Sequence, residues 1–145
     1  MIGLVQRVTT ATVTIQGETI AQIDRGILVF VGIRKEDAKQ NAERLMKRLL
    51  SFRIFPDQHG KMNLSVQDVE AGLLIVPQFT LVADTRSGTR ASFTAGANPA
   101  AANNLFQNLI EIARGSYRQV AFGEFGADMQ VSLTNDGPVT FVLEA

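Results

Sequence analysis

Residues 26–33 read GILVFVGI, an apolar run with a glycine at its start and another next to its end. Apolar residues at both parities suit a strand buried on both faces, not one with a solvated side. The segments around it divide by periodicity. Before it, LVQRVTTATVTIQGETIAQI alternates, which predicts two short strands joined at Gln16-Gly17. After it, Ala42, Leu45, Met46, Leu49 and Leu50 recur at helical spacing, with acids opening the segment and bases closing it, as a helix dipole prefers. PDQHGKMN reads as a turn-rich loop, and AGLLIVPQFTLVAD as a strand interrupted at Pro77. A second helix begins with Asn98 as N-cap and Pro99 at the first helical position. Ala102, Leu105, Phe106, Leu109, Ile110 and Ala113 give it one apolar face, and Gly115 is expected to stop it. Strands then run from about 120 to the end. The expectation is a single domain over 1–145, mixed α/β (α+β), with about seven strands, mostly antiparallel pairing and two main helices.

What is missing narrows the chemistry. There is no cysteine, so disulfides, thiol nucleophiles and thiolate metal sites are excluded. The single histidine, His59, lies beside Gly60 in the turn-rich loop and reads as a solvated turn residue. No nucleophile elbow, P-loop, zinc-protease motif or dinucleotide fingerprint occurs. An enzyme built from this chain would work largely through backbone groups and positioning. The 14 basic and 14 acidic side chains cancel, so any nucleic-acid contact has to be local. No apolar run approaches the roughly 20 residues a spanning helix needs, and the N-terminus lacks the signal-peptide pattern. A soluble, cytoplasmic protein is expected.

Three segments stand out. VPQFTL (76–81) sets a proline in an apolar strand and follows it with Gln78 and Thr80 at one parity; an edge strand with a bulge would look the same. DTRSGTRASF (84–93) carries Arg86 and Arg90 about Gly88 among hydroxyls, a pattern suited either to a phosphate or to solvent. Arg44, Lys47 and Arg48 form a second basic group. NDGPVT (135–140) puts a Gly-Pro unit between what read as the last two strands, and a tight turn is the plain alternative.

QRV, RIFPDQHGKMNLSV, PQFTLVADTRSGTRASF, ADMQVSL and NDGPVTF, in this order along the chain, resemble the bacterial D-aminoacyl-tRNA deacylase family. Pro77 stands where the family usually has serine, so no role of that serine carries over. Ala91 stands where it usually has proline. The resemblance implies a homodimer, a barrel-like roll of mostly antiparallel sheet, and hydrolysis of D-aminoacyl-tRNA; no metal, cofactor, DNA or membrane is expected, and a screen that works by crowding a side chain would also pass glycyl-tRNA. It implies that the Gly137–Pro138 bond is cis and enters the partner's active site, accepting the substrate ammonium and crowding any L-side chain. Backbone donors at Gln78, Phe79 and Thr80 would stabilise the oxyanion. Phe79 and Met129 would pack against the terminal adenosine, while Arg86 and Arg90 would meet tRNA phosphates. A non-catalytic RNA- or protein-binding dimer and a general esterase are the competing readings.

Overall fold

The computed structural model describes residues 1–145. Its organising element is a long hairpin. Strand β1 (Ile2–Ile15) turns through Gln16 and Gly17, both at positive φ as a two-residue hairpin demands, and returns as β2 (Glu18–Ile23) and β3 (Gly26–Gly32). β2 and β3 occupy the same edge of β1 in tandem: Ala11 opposes Ile23 and Val8 opposes Gly26 in one continuous register. Strand β8 (Gln130–Glu144) pairs along the other edge of β1. Beyond β3 lie β6 (Gly72–Pro77) and β7 (Val120–Phe122), both parallel to their neighbours. A small hairpin of β4 (Phe55–Pro56) and β5 (Met62–Leu64) stands apart.

The 26–33 run is central, as its composition requires, and period-two alternation sorts its side chains between two cores. Ile27, Val29 and Val31 face helices α1 (Lys39–Ser51) and α2 (Pro99–Ser116) with Val5, Leu73 and Ile75. Leu28 faces the opposite way, with Val8, Ala11, Val13, Ile23, Leu74 and Val76. That second core fills the inside of the sheet, which curls until β2 lies against β6 and β7. The result is a nearly closed, barrel-like sheet carrying two helices on one face.

Several expectations need correction. Eight strands form where about seven are expected: the β4–β5 hairpin adds two, and the last two expected strands merge into one. The acids Glu36 and Asp37 precede α1 and do not occupy its first turn; Asp37 instead accepts from the Met1 ammonium and the Arg34 N–H. Helix α2 passes through Gly115 and ends at Ser116. QFTL is not strand: β6 stops at Pro77, and Phe79–Val82 forms a 3-10 turn. The last two predicted strands are one strand, β8, with the Gly-Pro unit as an excursion inside it. Asn135 opposes Val8 and Thr140 opposes Gln6, so four residues of β8 stand against Arg7 alone.

Candidate active site

Two contiguous cavities open where β3 and β6 end. Pro77 is tolerated there because β7 pairs with β6 only as far as Ile75, so no neighbour on that side needs its missing N–H. The Gln78 N–H donates to the Val31 carbonyl at 2.8 Å. The chain then tightens into the 3-10 turn, in which Leu81 N–H donates to Gln78 O and Ala83 N–H to Thr80 O. Phe79 and Thr80 open this turn, and their N–H groups have no acceptor within it. Gln78 Nε2 donates to Thr80 Oγ1, leaving the threonine hydroxyl proton free to point elsewhere.

The first cavity, about 500 Å³, is lined by Pro77, Gln78, Phe79, Phe125, Met129 and Val131, with Pro99 and Ala102 of α2. Met129 reaches it because residue 123 is glycine. A Cβ at Gly123 would lie 2.9 Å from Met129 Sδ and 3.3 Å from Pro77 Cδ. The second cavity, about 380 Å³, shares Pro77, Gln78, Phe79, Pro99, Ala102 and Phe125 and adds Phe93, Ile33 and Lys35. Phe79 lines both. It is 64% exposed, unusual for a large apolar side chain, and its ring stands 5.2 Å from that of Phe93. The charged residues of the two walls are Asp128 in the first and Lys35 in the second. Neither wall holds histidine, serine or a carboxylate pair suited to side-chain acid–base work.

Phe79, Gln78 and Met129 therefore come together, while Thr80 stands beside them on the turn. Sequence reading passed over Phe93, Phe125 and Lys35. Phe93 closes the 84–93 loop, but nothing local marks it as a neighbour of Phe79. Gly137 and Pro138 do not join the site within one chain. Arg7, which faces them from β1, pairs with Ile27, and Ile27 with Leu73; the cavity end of the same strands is where Val31 pairs with Pro77. Four residues along a strand separate the two levels by about 13 Å.

The Gly137–Pro138 peptide is cis, and the excursion around it is held from both sides. Arg7 Nε donates to the Asp136 carbonyl at 3.0 Å and lies 3.2 Å from its carboxylate, while Nη1 donates to the Ile54 carbonyl at 2.9 Å. Across the loop, Asn135 Oδ1 accepts from Val139 N–H at 2.6 Å, and its Nδ2 donates to Val139 O and Thr140 Oγ1. Gly137 sits at φ +146°, and a Cβ there would meet Val139 and the Arg7 guanidinium. Arg7 and Asn135 were in view in the sequence, but their separate holds on residues 136–140 were not.

The two loop arginines differ. Arg86 makes a two-pronged contact with the Asp84 carboxylate, at 2.9 and 2.6 Å, which holds that carboxyl far below the usual range. Its charge is locally neutralised. Arg90 is exposed and in no ion pair. His59 lines neither cavity; its backbone N–H, like that of Lys61, donates to Asp57, whose carboxylate is held below its usual range first by Asn63 and then by those two amides.

The comparisons agree across the full length. The family model for D-Tyr-tRNA(Tyr) deacylase matches residues 4–144. A D-aminoacyl-tRNA deacylase of Nitrosococcus oceani is 56% identical over 99% of this chain and 93% of its own. One from Pseudomonas aeruginosa is 53% identical over 100% of both. Among solved structures, one titled c-Myc DNA Unwinding Element Binding Protein superposes with a TM-score of 0.95 at 40% identity, over 100% of this chain and 99% of that one. A probable eukaryotic D-amino acid tRNA deacylase shares the fold at TM-score 0.86 and 14% identity, over 99% and 98%. No helix is long and apolar enough to cross a membrane. With its barrel-like sheet and its matches from end to end, the chain belongs to the D-Tyr-tRNA(Tyr) deacylase family.

Proposed function

We propose that this chain is a hydrolase that cleaves the ester of D-aminoacyl-tRNA, releasing the free D-amino acid and the tRNA. Full-length membership in the family supports the reaction, and one feature of the site supports the manner of it. The 3-10 turn offers the N–H groups of Phe79 and Thr80 beside a cavity poor in titratable groups. An aminoacyl ester is already activated, so donors aimed at the developing oxyanion, with a water or the ribose 2′-hydroxyl moving the proton, are sufficient help. Gln78 acts through its side chain, orienting the Thr80 hydroxyl, since its own N–H is committed to Val31. The terminal adenosine occupies the cavity between Phe79 and Met129. The substrate class puts the reaction in the cytoplasm.

The working unit in this reading is a homodimer in which Gly137 and Pro138 of one subunit complete the site of the other. Two observations favour it: the excursion lies at the far level of the sheet from its own chain's cavity, and the outer edge of β8 is unpaired and exposes Phe141 and Val142. Backbone carbonyls crowding the L-position reject L-residues without reading a D-side chain, so glycyl-tRNA, with nothing to crowd, is also cleaved. Single-turnover deacylation of matched D-, L- and glycyl-tRNA is the test. A D-to-L preference of at least ~100-fold with measurable glycyl cleavage is expected. Equal D and L rates sink the screen, inert glycyl-tRNA sinks its side-chain blindness, and a fully active monomer in sedimentation sinks the shared site.

A further inference from the structure

Phe79 lines both cavities, and the second has no assigned occupant. Its composition is specific. Phe79 and Phe93 present two partly exposed rings, 64% and 47% accessible, with centroids 5.2 Å apart and planes inclined at 45°. Pro77, Pro99 and Val82 add apolar walls. Lys35 is the one charged residue in the lining, is exposed, and makes no ion pair. Its backbone N–H is bonded to Ala95 O at 3.2 Å, which fixes the base of the side chain against the loop carrying Phe93. An aromatic platform beside a free ammonium is what a nucleotide requires: a π-face for the base and a cation for its phosphate.

We infer that this second cavity is a subsite for the penultimate nucleotide of the tRNA, its base stacked at Phe79 and Phe93 and the phosphate linking it to the terminal adenosine held by Lys35. The inference rests on the deacylase reading, because the adenosine must occupy the Met129 cavity for its 5′ neighbour to reach this one. Continuity supports it: the cavities share Phe79, Pro77 and Pro99, so one strand of nucleic acid passes from one to the other around a single ring. Phe79 thereby serves both cavities, which gives its exposure a physical purpose. Stacking is tolerant of base identity, so the subsite adds affinity and register, not sequence choice.

The test uses three esters of the same D-amino acid, on adenosine, on adenosine 5′-phosphate and on the dinucleotide cytidylyl-adenosine. With the intact protein, kcat/KM should rise from the first to the third by about tenfold or more, the second lying between. Lys35→Ala should remove the gain from the phosphate, with partial recovery in Lys35→Arg, and Phe93→Ala should remove the gain from the base. The readout is the ratio between esters, which a general loss of folded protein does not move. A ratio near one in the unmodified protein overturns the inference and leaves the deacylase reading standing, and so does a ratio that neither Lys35→Ala nor Phe93→Ala changes. Failure to cleave all three esters and D-aminoacyl-tRNA itself overturns the deacylase reading, and this subsite with it.

Discussion

Replacing Arg7 by methionine isolates what holds the Gly-Pro segment. The aliphatic part of the side chain is kept, and the guanidinium is lost. Two backbone carbonyls, Asp136 O and Ile54 O, lose charged donors at 3.0 and 2.9 Å. The Arg7 side chain is only 12% exposed, so water restores these bonds poorly. Charged hydrogen bonds contribute about 1.5–3 kcal/mol each. The contact with the half-exposed Asp136 carboxylate adds little. Because the two bonds share one side chain and the loop relaxes, the lower end, about 3 kcal/mol, is the reasonable total. For a chain of this size that corresponds to a melting temperature lower by roughly 6–12 °C. Function should suffer selectively: the D-to-L ratio of kcat/KM should fall by about tenfold or more as the loop loosens, while the 3-10 turn is untouched. Arg7→Lys should recover little, since an ammonium lacks the planar fork that spans two carbonyls. Thermal melting and paired D- and L-aminoacyl-tRNA kinetics give the answer. A folded Arg7→Met protein with an unchanged D-to-L ratio, or Arg7→Lys behaving as the parent, refutes the argument.

Thr80→Ala should reduce kcat without abolishing turnover, since the backbone donors at 79 and 80 remain, and His59→Ala should be nearly silent; complete loss in either folded variant contradicts backbone catalysis. If the terminal adenosine binds beside Met129 as proposed, Gly123→Ala should raise KM with kcat little changed, because the added methyl displaces Met129 Sδ in the cavity wall, at an overpacking cost of about 1–3 kcal/mol in stability measured by denaturant titration. Arg90→Ala should lower the salt slope of tRNA binding by about one while Arg86→Ala changes it less, with the parent slope shallow; the reverse order counts against the pairing of Arg86. Since Asp84 is held far below its unfolded value, the contribution of that ion pair is fully present above about pH 4 and lost only as pH falls toward the folded value. The difference between the two arginine variants should therefore be flat from pH 5 to 9.

Sequence alone determined those features whose causes lie within a few residues. The apolar run at 26–33 required a strand covered on both sides, and Asn98-Pro99 marked the start of α2, where the Asn98 side chain accepts from Ala101 N–H at 2.9 Å. The motif order marked Gln78, Phe79, Thr80, Met129, Gly137 and Pro138 for attention. Tertiary structure decided what depends on distant partners. QFTL becomes a 3-10 turn because β3 and β7 end beside it, leaving a further strand residue nothing to pair with; its own composition reads as strand. The Gly-Pro unit becomes an excursion in one strand because β1 continues past it and pairs on both sides. Arg7 meets Asp136 from 129 positions away, and Lys35, Phe79, Phe93 and Phe125 converge from four separate segments. Period and propensity report which face of an element is apolar. They carry no information on which two faces meet, because that choice belongs to the register of β1 with its neighbours and to the packing of the two helices on one side of the sheet.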